Sequence, residues 1–111
     1  MLNNIILVGR VVEDAKVTVF ENGIKVSNIV LAVQRPFKNE DDTYDTDFIP
    51  VQLWYGAADI ANEYCTKGSV IGIKGRLTAR FVDIGDNKIR LVEVVGERIS
   101  LINTVKKQEA E

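Results

Sequence analysis

Apolar and polar residues alternate with period two along most of the chain, and one stretch breaks that rhythm. In "NIILVGRVV" (4–12) Ile5 and Leu7 share a face, which predicts a strand, and "KVTVF" (16–20) follows in the same style. Asn22 and Gly23 of "ENG" can take the positive φ of a tight turn, so "IKVSNIVLAVQR" (24–35) is expected to return as the long second strand of a hairpin. "PFKNEDDTYDT" (36–46) opens on Pro36, has no apolar period and is expected to be an exposed, mobile loop before a third strand at 47–55. From Gly56 the spacing changes: Ala57, Ile60, Ala61 and Tyr64 fall at i, i+3, i+4 and i+7, the stripe of a short helix. Gly68 suits a left-handed cap at its end, with Lys67 beside the negative end of the helix dipole. "SVIGIKGRLTARF" (69–81) resumes the alternation, with Ile71, Ile73 and Leu77 on one face and Lys74, Arg76, Thr78 and Arg80 on the other. "IGDNK" (84–88) supplies a turn and "KIRLVEVVGERISLI" (88–102) a fifth strand.

Five strands with one short helix between the third and fourth is the element order of an all-β OB-fold, a small Greek-key barrel. Order alone leaves open a Src-homology-3-like barrel or an open sandwich, and the helix position favours the OB arrangement. Gly72 and Gly75 weaken a strand unless it must bend sharply, as at a barrel corner. "GIKG" also matches the GXXG loop of RNA-binding KH domains, but that loop sits between helices and here the flanks alternate as strands. The OB domain is expected to span 1–104, leaving 105–111 as a short polar terminus, expected to be disordered.

Composition removes most enzyme chemistry. The 111 residues suit one domain with one core. There is no histidine, so Ser-His-Asp and Cys-His catalysis and histidine-ligated zinc are excluded. Cys65 is the only cysteine, which rules out an intrachain disulfide and a thiolate cluster within one chain; it reads as a small buried or half-buried thiol. The acids of "DDTYDTD" alternate at 41, 45 and 47, but the mid-loop glycine and closing glutamate of a calcium-binding EF-hand are missing, so a solvated acidic loop is expected. No enzyme and no cofactor is therefore expected. No apolar run approaches the roughly 18 residues of a membrane span. "MLNNIILVGR" has no basic leader, so a cytoplasmic protein without a membrane partner is expected.

The net charge of −2 speaks against a nucleic-acid partner until its distribution is considered. Five of the sixteen acids lie in "EDDTYDTD"; setting it aside leaves eleven acids against fourteen bases, a surplus of +3. Single-stranded nucleic acid presents base faces and phosphates together, so its binder needs aromatic platforms interleaved with Lys and Arg. In the third strand Phe48, Gln52 and Trp54 share one parity, a platform, while Ile49, Val51 and Leu53 share the other, a core. Phe37 stands beside Arg35 and Lys38, and the fourth strand adds Lys74, Arg76 and Arg80. Taken singly, Phe48 or Trp54 is better explained as core filling, and each base reads equally well as part of a solvated strand face; it is the shared parity of the rings that favours a binding surface.

With these residues in view the chain resembles the bacterial single-stranded DNA-binding protein family from about residue 3 to residue 104. The matching segments are "NNIILVGRVVEDAKV", "NGIKVSNIVLAVQRPF", "DFIPVQLWYG", "IANEYCTKGSVIGIKGRL" and "VEVVGERISLI". The resemblance implies an OB-fold in a homotetramer, a dimer of dimers joined partly through strand one. It further implies binding of single-stranded DNA with little sequence preference, which protects unpaired strands in replication, recombination or repair. Phe37, Phe48 and Trp54 match stacking aromatics of the family, and Arg80 and Lys67 match basic positions near phosphate. Two positions depart: "FV" stands where some members carry a tryptophan, so Phe81 takes that role in a shifted register or a platform is missing, and Pro50 replaces an arginine of some relatives. The sequence closes on "NTVKKQEAE" in place of a Gly-, Gln- and Pro-rich linker with an acidic, phenylalanine-ended tip, so weak tail-mediated recruitment of replication proteins is expected. The rival readings are a primosomal-type OB protein acting mainly through protein contacts and a structural OB module that binds protein or RNA.

Overall fold

The computed structural model describes residues 1–105. Its elements run β1 (Ile5–Val11), β2 (Thr18–Val19), β3 (Lys25–Lys38), β4 (Tyr44–Trp54), α1 (Gly56–Tyr64), β5 (Val70–Ile84) and β6 (Asn87–Asn103). The strands lie in the order β1-β5-β6-β4-β3-β2, and a further β1–β3 pairing closes the ring. β1, β3, β4, β5 and β6 thus form a closed five-stranded barrel, with β2 a two-residue addition along β3. Every pairing is antiparallel except that of β4 with β6, which is parallel from Val51↔Val94 to Leu53↔Gly96. A closed barrel of this kind with its single helix between β4 and β5 is an OB-fold.

Alternation fills the barrel. Val11, Ile29, Leu31, Val51, Leu53, Ile71 and Ile73 point inward and are buried, while their side-chain-bearing sequence neighbours are exposed or half-buried. The tightest part of the wall is where Gly75 of β5 faces Gly96 of β6. A Cβ on Gly75 would lie 2.1 Å from the Val95 carbonyl oxygen, and one on Gly96 would lie 2.5 Å from Leu53 Cδ2. Only glycine admits that approach. The register also shifts here, from Lys74↔Arg98 to Gly75↔Gly96, so Glu97 is an extra residue in β6, a β-bulge. The bend expected at Gly75 is present; at Gly72 a Cβ would meet only ordinary contacts, the nearest at 3.6 Å.

Four local expectations are corrected. The 36–46 segment is mostly strand: β3 runs to Lys38 and β4 restarts at Tyr44, leaving a short turn in which the Asn39 N–H donates to the Thr43 carbonyl at 2.7 Å. The sequence hides this arm because both its faces are exposed, so nothing selects an apolar alternation. In α1 the buried residues are Ala58 and Ala61, with Cys65 just beyond, while Ile60 and Tyr64 are exposed. The barrel accepts the small side chains and turns the large ones out. The helix ends at Tyr64, with the Cys65 N–H donating to the Ala61 carbonyl at 2.8 Å, and Gly68, at φ 90°, belongs to the following turn rather than to a cap. Leu77 keeps the inward parity of Ile73 but is exposed, because β5 continues past the barrel into a long hairpin with β6.

Cys65 is buried, as expected for a small structural thiol, and burial pushes its thiol up to about 11. The backbone N–H of Val105 donates to Ser69 Oγ at 2.8 Å, tying the end of the described chain to the α1–β5 turn. The remaining residues of the expected polar terminus, 106–111, lie outside the described residues.

Candidate nucleic-acid interface

Because Val51 and Leu53 are sealed in the core, strict alternation turns Phe48, Gln52 and Trp54 of β4 to the outside. Phe48 is 65% exposed and lies across from Ala32; Trp54 is 40% exposed and lies across from Val26. These rings do not serve the core. Trp54 separates two open hollows of similar size. One, of about 610 Å³, is lined by Phe20 and Ile24 of the β2–β3 turn together with Trp54. The other, of about 630 Å³, is lined by Trp54, Tyr55, Arg76 and Glu97 at the junction of β4 with α1. An indole and a guanidinium therefore border the same groove, the combination that stacks a base and holds its phosphate.

The other arginines expected to meet phosphate already hold carboxylates. Arg35 donates from Nε to Asp47 Oδ2 at 3.1 Å and from Nη2 to Asp47 Oδ1 at 3.0 Å, with Asp45 Oδ2 3.6 Å from Nη1. Those hydrogen bonds hold the Asp47 carboxyl below its ordinary value and raise the Arg35 guanidinium. Arg80 donates through Nε to Glu93, whose second oxygen accepts from Gln52 Nε2 at 2.9 Å. One acid thereby links β5, β6 and β4 on the outer wall. In the β3–β4 turn, hydrogen bonds from the Thr43 hydroxyl and backbone N–H lower the Asp41 carboxyl as well.

The expected site residues fall into three groups. Trp54 and Arg76 line one hollow, with Phe48, Gln52 and Arg80 along the same outer wall. Phe37, Arg35 and Lys38 ride the β3–β4 arm, with Phe37 64% exposed, and Phe81 rides the β5–β6 arm at 62% exposed. Lys67 and Lys74 stand apart from Trp54. Lys67 follows the far end of α1, where its backbone N–H donates to Asp14 Oδ1 at 2.7 Å, and Lys74 sits between Ile6 of β1 and Arg98 of β6. The length of α1 separates Lys67 from the groove.

Several residues of the groove, the outer wall and the β5–β6 arm escaped the sequence reading. Phe20 precedes the "ENG" turn, and its backbone N–H donates to the Ile24 carbonyl at 2.8 Å, a hairpin closure that brings it to Trp54. Arg90 lies over the Phe81 ring, 4.8 Å from its centroid, because β6 returns directly opposite. Tyr55, Glu93 and Glu97 were also missed. Tyr55, between β4 and α1, sits at φ 50°, a conformation that a bulky side chain rarely takes and that no alternation pattern signals.

A barrel of this topology with an outward aromatic row has a match among known proteins. The profile described as the single-strand binding protein family fits residues 2–102. The chain belongs to that family. The single-stranded DNA-binding protein of Oceanobacillus iheyensis is 35% identical over 105 residues, 94% of this chain and 65% of its own. That of Streptococcus pneumoniae is 33% identical, covering 94% of this chain and 67% of the relative. Single-stranded DNA-binding protein 1 of Clostridium acetobutylicum is 34% identical, covering 95% and 97% respectively. The chain thus spans about two thirds of the length of the first two relatives. The names within this single-strand binding family describe DNA binding rather than catalysis, in keeping with the lack of histidine.

Proposed function

We propose that this chain coats single-stranded DNA, stacking bases on Phe37, Phe48, Trp54 and Phe81 and holding phosphates with Arg35, Lys38, Lys67, Lys74, Arg76 and Arg80. The observation that carries the reading is the outward row of Phe48 and Trp54 on β4 with Arg76 beside the indole. Each stacked base contributes about 1–3 kcal/mol as measured by alanine substitution. Two large exposed rings on one strand would otherwise be an unexplained apolar liability. Stacking tolerates any base, so binding extends along a strand regardless of sequence and shields it during replication, recombination or repair in the cytoplasm. Arg35 and Arg80 exchange Asp47 and Glu93 for phosphate on binding. The exposed rings favour this reading over a primosomal-type protein that works through protein contacts.

The assembly is a homotetramer, a dimer of dimers. Its support is the outer face of β1, where Ile6 is 74% and Val8 53% exposed on a barrel strand in this single chain. Light scattering with and without poly-dT at two salt concentrations tests both parts. The expected result is a mass of four chains and a DNA complex that weakens as salt rises, since phosphate pairing releases counterions. Absence of a complex at low salt overturns the DNA-binding reading; a monomer that still binds DNA overturns only the assembly.

A further inference from the structure

An acid in a groove that receives a polyanion repels its ligand, and Glu97 is such an acid. The close approach of Gly75 and Gly96 shifts the β5–β6 register and leaves Glu97 as the extra, bulged residue, exposed at the wall of the Trp54–Arg76 hollow. Bulges beside binding sites re-aim side chains. Among the described residues neither Glu97 nor Arg76 enters an ion pair, whereas Arg35, Arg80 and Lys25 all do. Glu97 is therefore not consumed in neutralising a neighbour. The hollow, about 630 Å³, is within the size range of small-ligand sites and accommodates one nucleotide unit.

A carboxylate accepts hydrogen bonds and donates none at neutral pH. The edge of an unpaired cytosine offers its N4 amine, adenine its N6 amine, and guanine its N1 and N2 hydrogens. Thymine offers only N3–H, set between two carbonyl oxygens that a carboxylate repels. We infer that Glu97 is a specificity-determining residue, favouring amino-bearing bases over thymine in the hollow where Trp54 stacks the base and Arg76 holds its phosphate. This rests on the proposed DNA binding and adds to it a bias of base composition, not a sequence motif.

The test compares the affinities of cytidine and thymidine homo-oligomers of equal length, at low salt, for the unaltered protein, Glu97→Gln and Glu63→Gln. The last removes an exposed acid of α1 and controls for net charge. Glutamine keeps the size of the side chain and offers thymine a donor. The cytidine-to-thymidine affinity ratio is expected to fall about three- to tenfold in Glu97→Gln, the range that one net hydrogen bond supports. It is expected to stay unchanged in Glu63→Gln. A ratio unmoved by Glu97→Gln, or a matching rise for both oligomers, overturns the inference while leaving DNA binding intact. Failure of the unaltered protein to bind either oligomer overturns the DNA-binding reading itself, and this inference with it.

Discussion

The two arms that leave the barrel and the groove beside Trp54 all combine rings with arginines, but they hold them differently. On the β3–β4 arm Arg35 is forked onto Asp47, and on the β5–β6 hairpin Arg90 covers Phe81, while at the base of that hairpin, where it joins the barrel wall, Arg80 is tied to Glu93. In the groove, Arg76 enters no ion pair among the described residues. On the proposed reading phosphate must displace a carboxylate to reach Arg35 or Arg80, and meets an unengaged guanidinium at Arg76. Surface pairs are weak, typically about 0–1 kcal/mol, so the exchange is feasible, but each one lowers the net gain on binding. On that reading the groove is the primary contact and the arms extend it.

The largest expected contrast is in stability. Leu53→Ala, which removes a fully buried barrel side chain, is expected to destabilise the fold by about 2–5 kcal/mol in urea unfolding. Phe81→Ala on the exposed arm is expected to change it by no more than about 0.5 kcal/mol. Equal losses would show that the arm is part of the core.

Next comes affinity. Trp54→Ala is expected to weaken binding of a labelled oligomer by about 1–3 kcal/mol in anisotropy titrations, with little change in unfolding midpoint. Phe81→Ala is expected to lose less, since Arg90 already occupies one side of its ring. The reverse order would make the arm the primary contact.

A smaller effect is expected from Asp47→Asn, which removes the carboxylate forked onto Arg35 and leaves the longer contact to Asp45. Affinity should rise by up to about fivefold, because phosphate no longer has to displace Asp47, while the slope of log affinity against log salt stays the same, since Arg35 meets phosphate in both proteins. An unchanged affinity would mean that Arg35 does not reach DNA. The smallest effect is that of pH on the arm itself. The Asp47 carboxyl, hydrogen-bonded by Arg35, sits below its ordinary value, so the stabilisation is fully present above the unfolded value and is lost as pH falls through the lowered one. Nuclear magnetic resonance of the Asp47 carboxyl should show a midpoint below that of a free aspartate; a midpoint above it would contradict the fork.

Most of the barrel was legible because one face of each wall strand is buried and alternation records it: Val51 and Leu53 inward, Phe48 and Trp54 outward. The arms were not, since residues 36–46 face water on both sides and their pairing is set by a partner strand rather than by pattern. The helix was legible as a helix but not in its full orientation, because hydrophobic spacing grouped Ile60 and Tyr64 with Ala61 where close packing required Ala58 beside Ala61. Among the site residues, parity placed Trp54 and Arg76 on outer faces. It could not show that Arg35 and Arg80 carry carboxylates, or that Glu97 is bulged, because each depends on which residue a neighbouring strand brings alongside.

Trp54 is the sole tryptophan, so its fluorescence reports this one position. Titration with oligo-dT in low salt is the most direct test of the stacking groove. Stacking on the indole predicts quenching that saturates with DNA and recovers as salt is added. An emission spectrum unchanged at saturating DNA would contradict the account.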